Sequence, residues 1–197
     1  MNKAQRDDLL QQMLETEMGG VKIYTTALQC VLNADLKEEW EKYLDQTKNH
    51  VSIVQKLMSE LGVEPKETPS RKVVRHIGEA LVQAMTMARQ SDAPKQAAEI
   101  VACECVSLAE TKDHGNWELL TKYGEAAKGD EKKAIEAAID EVEDQEDEHL
   151  YHSKGWGREL AIAALGMKAV LPPPEEQKDV KTAIGAARAK AARKEMM

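Results

Sequence analysis

The sequence predicts an all-α protein. Its plan is a four-helix bundle with a helical crossover between the second and third helices and an extra helix at the C-terminus. Three observations predict this. Ala, Glu, Lys, Leu and Met dominate a chain of 197 residues with only 4% aromatics and no Phe, a composition of strong helix formers. Apolar residues recur at steps of three and four along most of the chain. A short motif occurs twice, Asp45-Gln46-Thr47-Lys48-Asn49-His50 and Asp144-Gln145-Glu146-Asp147-Glu148-His149. Each copy falls on the second helix of a helical pair, as an internal duplication would place it.

The first helix is expected over 2–32, with Leu10, Leu14, Val21, Tyr24, Leu28 and Val31 on its apolar face. Gly19 and Gly20 weaken it locally, by about 1 kcal/mol each relative to Ala. Asn33-Ala34-Asp35 is a turn, with Asp35 as N-cap. The second helix runs to about Leu61, carries Trp40, Leu44, Thr47, Val51, Val54 and Met58 on one face, and stops at Gly62.

Pro65 and Pro69 make 62–70 a loop. Ser70 caps a further helix striped with Val73, Val74, Ile77, Leu81, Val82 and Met85, and Asp92-Ala93-Pro94 ends it. Residues 62–94 are therefore a long crossover, as a bundle needs when its second and third helices run parallel. The third helix spans about 94–124. Asp130 caps the fourth, 131–153, which Gly155 and Gly157 bend or end.

An apolar stretch from Leu160 to Leu171 precedes Pro172-Pro173-Pro174. The last helix, 176–195, is Ala-rich and basic, with Arg188, Lys190, Arg193 and Lys194. Its narrow stripe of Ala183, Ile184, Ala187 and Ala191 suits packing on the bundle or on a second subunit. The basic side reads either as a solvated face or as a contact for an acidic partner or nucleic acid. Residues 1–171 thus form the bundle and 172–197 a Pro-led basic helix.

Composition narrows the function. With 42% hydrophobic residues the chain can bury a sizeable single core. A net charge of −8 argues against nucleic-acid or anionic-membrane binding by the whole domain and suits the attraction of cations. No apolar run approaches the ~18 residues of a membrane span. Cys30, Cys103 and Cys105 form no Cys-x-x-Cys pair. They read as small core residues in a reducing, cytoplasmic compartment. Met13, Met58, Met85 and Met87 read as core or interface residues, and His76 and His152 as peripheral.

The chemistry lies where polar residues interrupt the apolar stripes. Glu17 does so on the first helix, Thr47 and His50 on the second, Glu146 and His149 on the fourth. A carboxylate in a core stripe is costly unless it is paired or binds a metal. Glu17 lies about 16 residues before the first turn and His50 about 15 after it, so at ~1.5 Å per residue they stand level. On the third helix, depth favours Glu110 as their neighbour and phase favours Glu104. His114, one turn beyond Glu110, is a further candidate. Against this stands the plainer reading of His149, in its acidic run, as a solvated residue and of His50 as a structural one.

The arrangement over about 5–155 resembles the ferritin-like di-iron carboxylate proteins, the group that contains rubrerythrin and bacterioferritin. That resemblance implies metal ligands at Glu17, His50, Glu110, Glu146 and His149, and a tyrosine near the metals at Tyr24. Thr47 departs from the pattern, because the family places there a Glu that bridges two metals. The resemblance implies iron, two ions or one, with Mn or Zn as alternatives that the same ligand types accept. It also implies oxidoreductase chemistry with O2 or peroxide. The alternative is a non-catalytic helical interaction or stress protein that kept the fold and lost a full metal site. A homodimer is the expected assembly.

Overall fold

The computed structural model describes residues 2–197, and among these every regular element is a helix. In chain order they are α1 (Lys3–Ala27), α2 (Ala34–Glu60), α3 (Pro69–Gln90), α4 (Lys95–Ala126), α5 (Gly129–Ala164), α6 (Pro174–Gln177) and α7 (Ala183–Met196).

Local chemistry sets the ends. Asn33, not Asp35, caps α2, accepting from the amides of Asp35 and Leu36 at 3.0 and 3.1 Å. Thr68, not Ser70, caps α3, with Pro69 at its first turn. Gly62 stops α2 at a φ of +68°, a conformation open to glycine without steric penalty. Asp130 lies in the first turn of α5 without capping it through a hydrogen bond; its charge there still suits the helix dipole.

The four long helices α1, α2, α4 and α5 form a bundle. Tyr24 packs on Tyr43 and Gly20 lies against Thr47, so α1 and α2 are antiparallel. Thr16 meets Asn116, while the amides of Leu32 and Asn33 reach Glu99, so α1 and α4 are also antiparallel. Glu39 pairs with His152 and His50 with Gln145, giving the same relation for α2 and α5. The directions of α2 and α4 therefore agree.

The crossover helix α3 makes that direction possible by returning the chain along α1. Arg71 and Arg75 both bind the buried Glu15, at 2.6 and 2.7 Å, and Met85 closes the far end beside Cys30.

Two apolar cores fill the bundle. One gathers Leu10, Leu14, Val54, Leu57, Leu120 and Ile135. The other gathers Tyr24, Trp40, Tyr43, Ala102, Cys103 and Trp156. The cores take their residues from opposite halves of each long helix, and a layer of buried polar residues falls between them.

The C-terminal part differs from the sequence expectation. Helix α5 runs through Gly155 and Gly157 to Ala164. These glycines allow close approach instead of a stop. A Cβ on Gly155 would sit 2.7 Å from Glu175 Oε2, and one on Gly157 would sit 3.2 Å from Cys103 Cβ. Glu175 accepts two hydrogen bonds from Arg158, and Glu159 accepts from the Val170 amide and from Arg193. Ion pairs thus clamp α6 and α7 onto α5. Helix α7 buries Ala189, whereas Ala183, Ile184, Ala187 and Ala191, the expected stripe, are exposed. Met87 is exposed as well, unlike Met13, Met58 and Met85.

Candidate metal centre

Four helices send polar side chains into the layer between the two cores. Glu17 comes from α1, Thr47 and His50 from α2, Glu110 and Asp113 from α4, and Glu146 and His149 from α5; all are buried. The five residues singled out from the sequence therefore meet in one place. Glu104 is exposed and lies away from it. Depth along the helix, not phase within the local stripe, identified the inward carboxylate of α4. His114 is held outside the layer by Asp147, at 2.6 Å, which also raises its pKa.

Two groups of donor atoms lie within 4.8 Å of one another: His50, Glu146 and His149, and Glu17, Asp113 and Glu146. Glu146 belongs to both. His50 Nδ1 is 2.9 Å from Glu146 Oε1 and 3.7 Å from Glu17 Oε2. His149 Nδ1 is 3.7 Å from both Glu110 Oε2 and Glu146 Oε1. Six of these buried atoms make no hydrogen bond to the described residues: Glu17 Oε2, His50 Nδ1, Glu110 Oε2, Asp113 Oδ1, Glu146 Oε2 and His149 Nδ1. Buried polar atoms are nearly always satisfied. A convergent set of such atoms, at separations a cation would bridge, fits a bound metal.

The opposite edge of each imidazole is occupied. His149 Nε2 meets Gln46 Oε1 at 2.9 Å, and His50 Nε2 meets Gln145 Oε1 at 3.0 Å. A carboxamide oxygen only accepts, so Nε2 carries the proton in both rings. Each Nδ1 is then the atom facing the carboxylates, as in metal sites where a second group fixes the histidine tautomer. The glutamines occupy the same place in the two copies of the duplicated motif, four residues before the His. They are exchanged between copies, because α2 and α5 run antiparallel.

Charge is concentrated here. Burial pushes the Glu17 carboxyl up to about 7, with the Glu146 carboxylate adding to the effect against the pull of His50 and Trp117. Burial and then the charges of Glu17, Glu146 and Glu110 push Asp113 well above the usual carboxylate range. Burial opposes a charged His50, but Glu146 and Glu17 more than reverse this and raise it to about 11. Without a cation, the layer holds protons where a metal would neutralise the carboxylates.

Three features were not identified from the sequence. Asp113 follows Glu110 by three residues, a spacing that returns to the same helix face; that was its only signal. Gln46 and Gln145 were visible as repeated letters, but their exchange needs the helix pairing. His152, expected to be peripheral, is buried. It shares Glu39 with the Tyr43 hydroxyl and the Trp156 indole. Burial disfavours charge on His152 and Glu39, but their mutual pairing raises the pKa of the imidazole and lowers that of the carboxyl. The Tyr43 ring lies tilted against His149, with ring centres 4.3 Å apart, and Tyr24 meets His149 edge-on at 6.0 Å.

Thr47 turns its hydroxyl to the Tyr43 carbonyl at 2.8 Å and presents its methyl toward Gly20. It contributes no donor to the layer. A groove of about 550 Å³ between α4 and α5, lined by Glu118, Glu143, Asp147 and Tyr151, also reaches Glu146. None of the described helices is long and apolar enough to cross a membrane. Comparison with family models, with curated proteins and with solved structures finds no match.

Proposed function

We propose that this protein is a metal-binding helical bundle of the ferritin-like kind, related in plan to the rubrerythrins, and that it holds iron as one ion or a pair. The observation that carries this reading is the convergence between the two cores of six buried donor atoms that make no hydrogen bond, among them His50 Nδ1, which faces Glu146 Oε1 at 2.9 Å. These side chains are buried between two apolar cores, and an unneutralised cluster of carboxylates there would be strongly destabilising. A bound cation offsets that repulsion.

The activity we propose is that of an oxidoreductase acting on O2 or peroxide. Iron, when bound, supplies the electrons for such chemistry. The chain's own residues orient and insulate the centre. Gln46 and Gln145 hold the imidazole edges, Trp117 Nε1 donates to Glu17 Oε1 at 3.1 Å, and Glu118, Glu143 and Asp147 line the groove beside Glu146 and favour cations there. The three cysteines are free and buried, in keeping with a reducing, cytoplasmic setting. A homodimer covering the exposed Val73, Ile77 and Leu108 is the proposed assembly.

The second reading, a helical interaction protein without a working centre, rests on Thr47, which supplies no ligand where a bridging carboxylate would stand. Metal analysis after anaerobic loading with Fe(II) separates the two. The first reading expects bound iron that is lost in His149→Ala and O2 or peroxide consumption by the loaded protein. Failure to retain Fe, Mn or Zn supports the second.

A further inference from the structure

We propose that Asp113 supplies from α4 the carboxylate that Thr47 lacks on α2, and that the centre is thereby divided into two unlike cation sites sharing Glu146. This rests on the metal-centre reading above and deepens it.

Counting donors leads to the first half. With Thr47 turned away, the layer still contains four carboxylates, Glu17, Glu110, Asp113 and Glu146, and two imidazoles, His50 and His149. Asp113 is 5% exposed and its Oδ1 has no partner among the described residues. Placed one turn beyond Glu110, it reaches the side of the layer that Glu17 occupies. The carboxylate number is thus restored, but from a different helix.

Position leads to the second half. Position 47 stands one turn before His50 on α2, against Gly20 of α1. Asp113 instead groups with Glu17 and Glu146, within 4.8 Å, as a set of oxygen donors alone. His50 and His149, their rings 5.7 Å apart and nearly parallel, then fall together in the other group with Glu146. Carboxylate sites suit hard cations such as Mn2+, whereas imidazole suits Fe2+, Zn2+ and Co2+. The all-oxygen site takes the hard ion, and the imidazole site takes the borderline one.

The test uses the full chain and two probes. Mn2+ binding is followed by loss of the free-ion electron paramagnetic resonance signal, and Co2+ binding by its visible absorption. Asp113→Asn keeps the side-chain shape, and Oδ1 has no hydrogen-bond partner to lose, so its metal-free form should melt no lower than wild type. We expect it to weaken Mn2+ binding by at least about tenfold, the lower end of what losing a supporting group costs a metal site, while the Co2+ spectrum is retained. His149→Gln should do the reverse, with circular dichroism as the check on folding.

Unchanged Mn2+ affinity in Asp113→Asn would overturn the role of Asp113. Equal weakening of both ions by both variants would overturn the division while leaving a single metal centre. If wild type binds neither ion, the underlying metal-centre reading fails as well.

Discussion

Gln46 Oε1 accepts a hydrogen bond from His149 Nε2 at 2.9 Å, and in the second copy of the same motif Gln145 Oε1 accepts one from His50 Nε2 at 3.0 Å. Gln46→Leu should leave a largely buried N–H without a partner, at about 1–3 kcal/mol, and let the His149 ring turn. Chelator competition should then show metal affinity lower by about 10–100-fold. Gln46→Glu, which keeps an acceptor in place, should restore most of it. Equal affinities in wild type and Gln46→Leu would mean that the bond does not position the ligand.

Glu146 is the carboxylate that faces His50 most closely. Removing it as Glu146→Ala leaves a buried imidazole with only Glu17 nearby. A loss of about 3–5 kcal/mol is expected from breaking a buried pair by deleting one partner. Urea denaturation of the metal-free protein measures it. A loss within experimental error would show that the pair does not support the fold.

Helix α3 is anchored through Glu15, which is 4% exposed and binds both Arg71 and Arg75. The Arg75 and Arg71 guanidiniums hold its carboxyl down to about 2 against the effect of burial. Glu15→Ala strands the buried Arg71, so α3 should open before the rest of the bundle. Hydrogen exchange over residues 69–90 should accelerate while the amides of α5 stay protected. Uniform acceleration along the chain would contradict a local anchor.

Gly155 lies where Glu175 leans on α5. Ala in a helix interior is favoured over Gly by about 1 kcal/mol. Here the new methyl would meet Glu175 Oε2 and Pro173 Cβ, and overpacking of this kind costs about 1–3 kcal/mol. Gly155→Ala is therefore expected to release α6 and α7 to limited proteolysis, with the bundle intact. A variant as resistant as wild type would show that the clamp has room to shift.

Glu159 gives this clamp a pH dependence. Burial pushes its carboxyl up, but the Val170 amide, Arg193 and Arg158 outweigh this and leave it below the usual carboxylate range. A depressed folded pKa contributes stability that is fully present above the unfolded value of about 4.3 and is lost as pH falls through the folded one. Glu175, bonded to Arg158, faces the same cluster. Protease sensitivity of the C-terminal segment should rise as pH falls below about 4. In Glu159→Gln the segment should already be sensitive at neutral pH. A wild-type profile flat across that range would remove Glu159 from the clamp.

Much of the helical plan was legible because it depends on local rules. Periodicity marked the stripes of α1 and α2 and part of that of α3, where Val73 and Ile77 are exposed, and Gly62 and Pro94 marked breaks. Depth counting brought Glu17, His50, Glu110, Glu146 and His149 to one level, because rise per residue is constant in a helix. The misreadings have a common origin. Gly155 and Gly157 read as a stop because glycine weakens isolated helices, whereas here it makes room for Glu175 and Cys103. His152 read as peripheral because its partner Glu39 lies on another helix, 113 residues away.

By itself, then, the sequence determined the all-helical class, the long crossover and the level at which charge enters the core, all of which follow from spacing along one chain. Only the tertiary structure decided which groups face one another there. Antiparallel pairing of α2 with α5 exchanges the two glutamines between the motif copies. The packing of α4 against α1 places Asp113 beside Glu17 and leaves both imidazoles together. Those juxtapositions depend on helix direction and rotation, which are set by how the two apolar cores close above and below the charged layer.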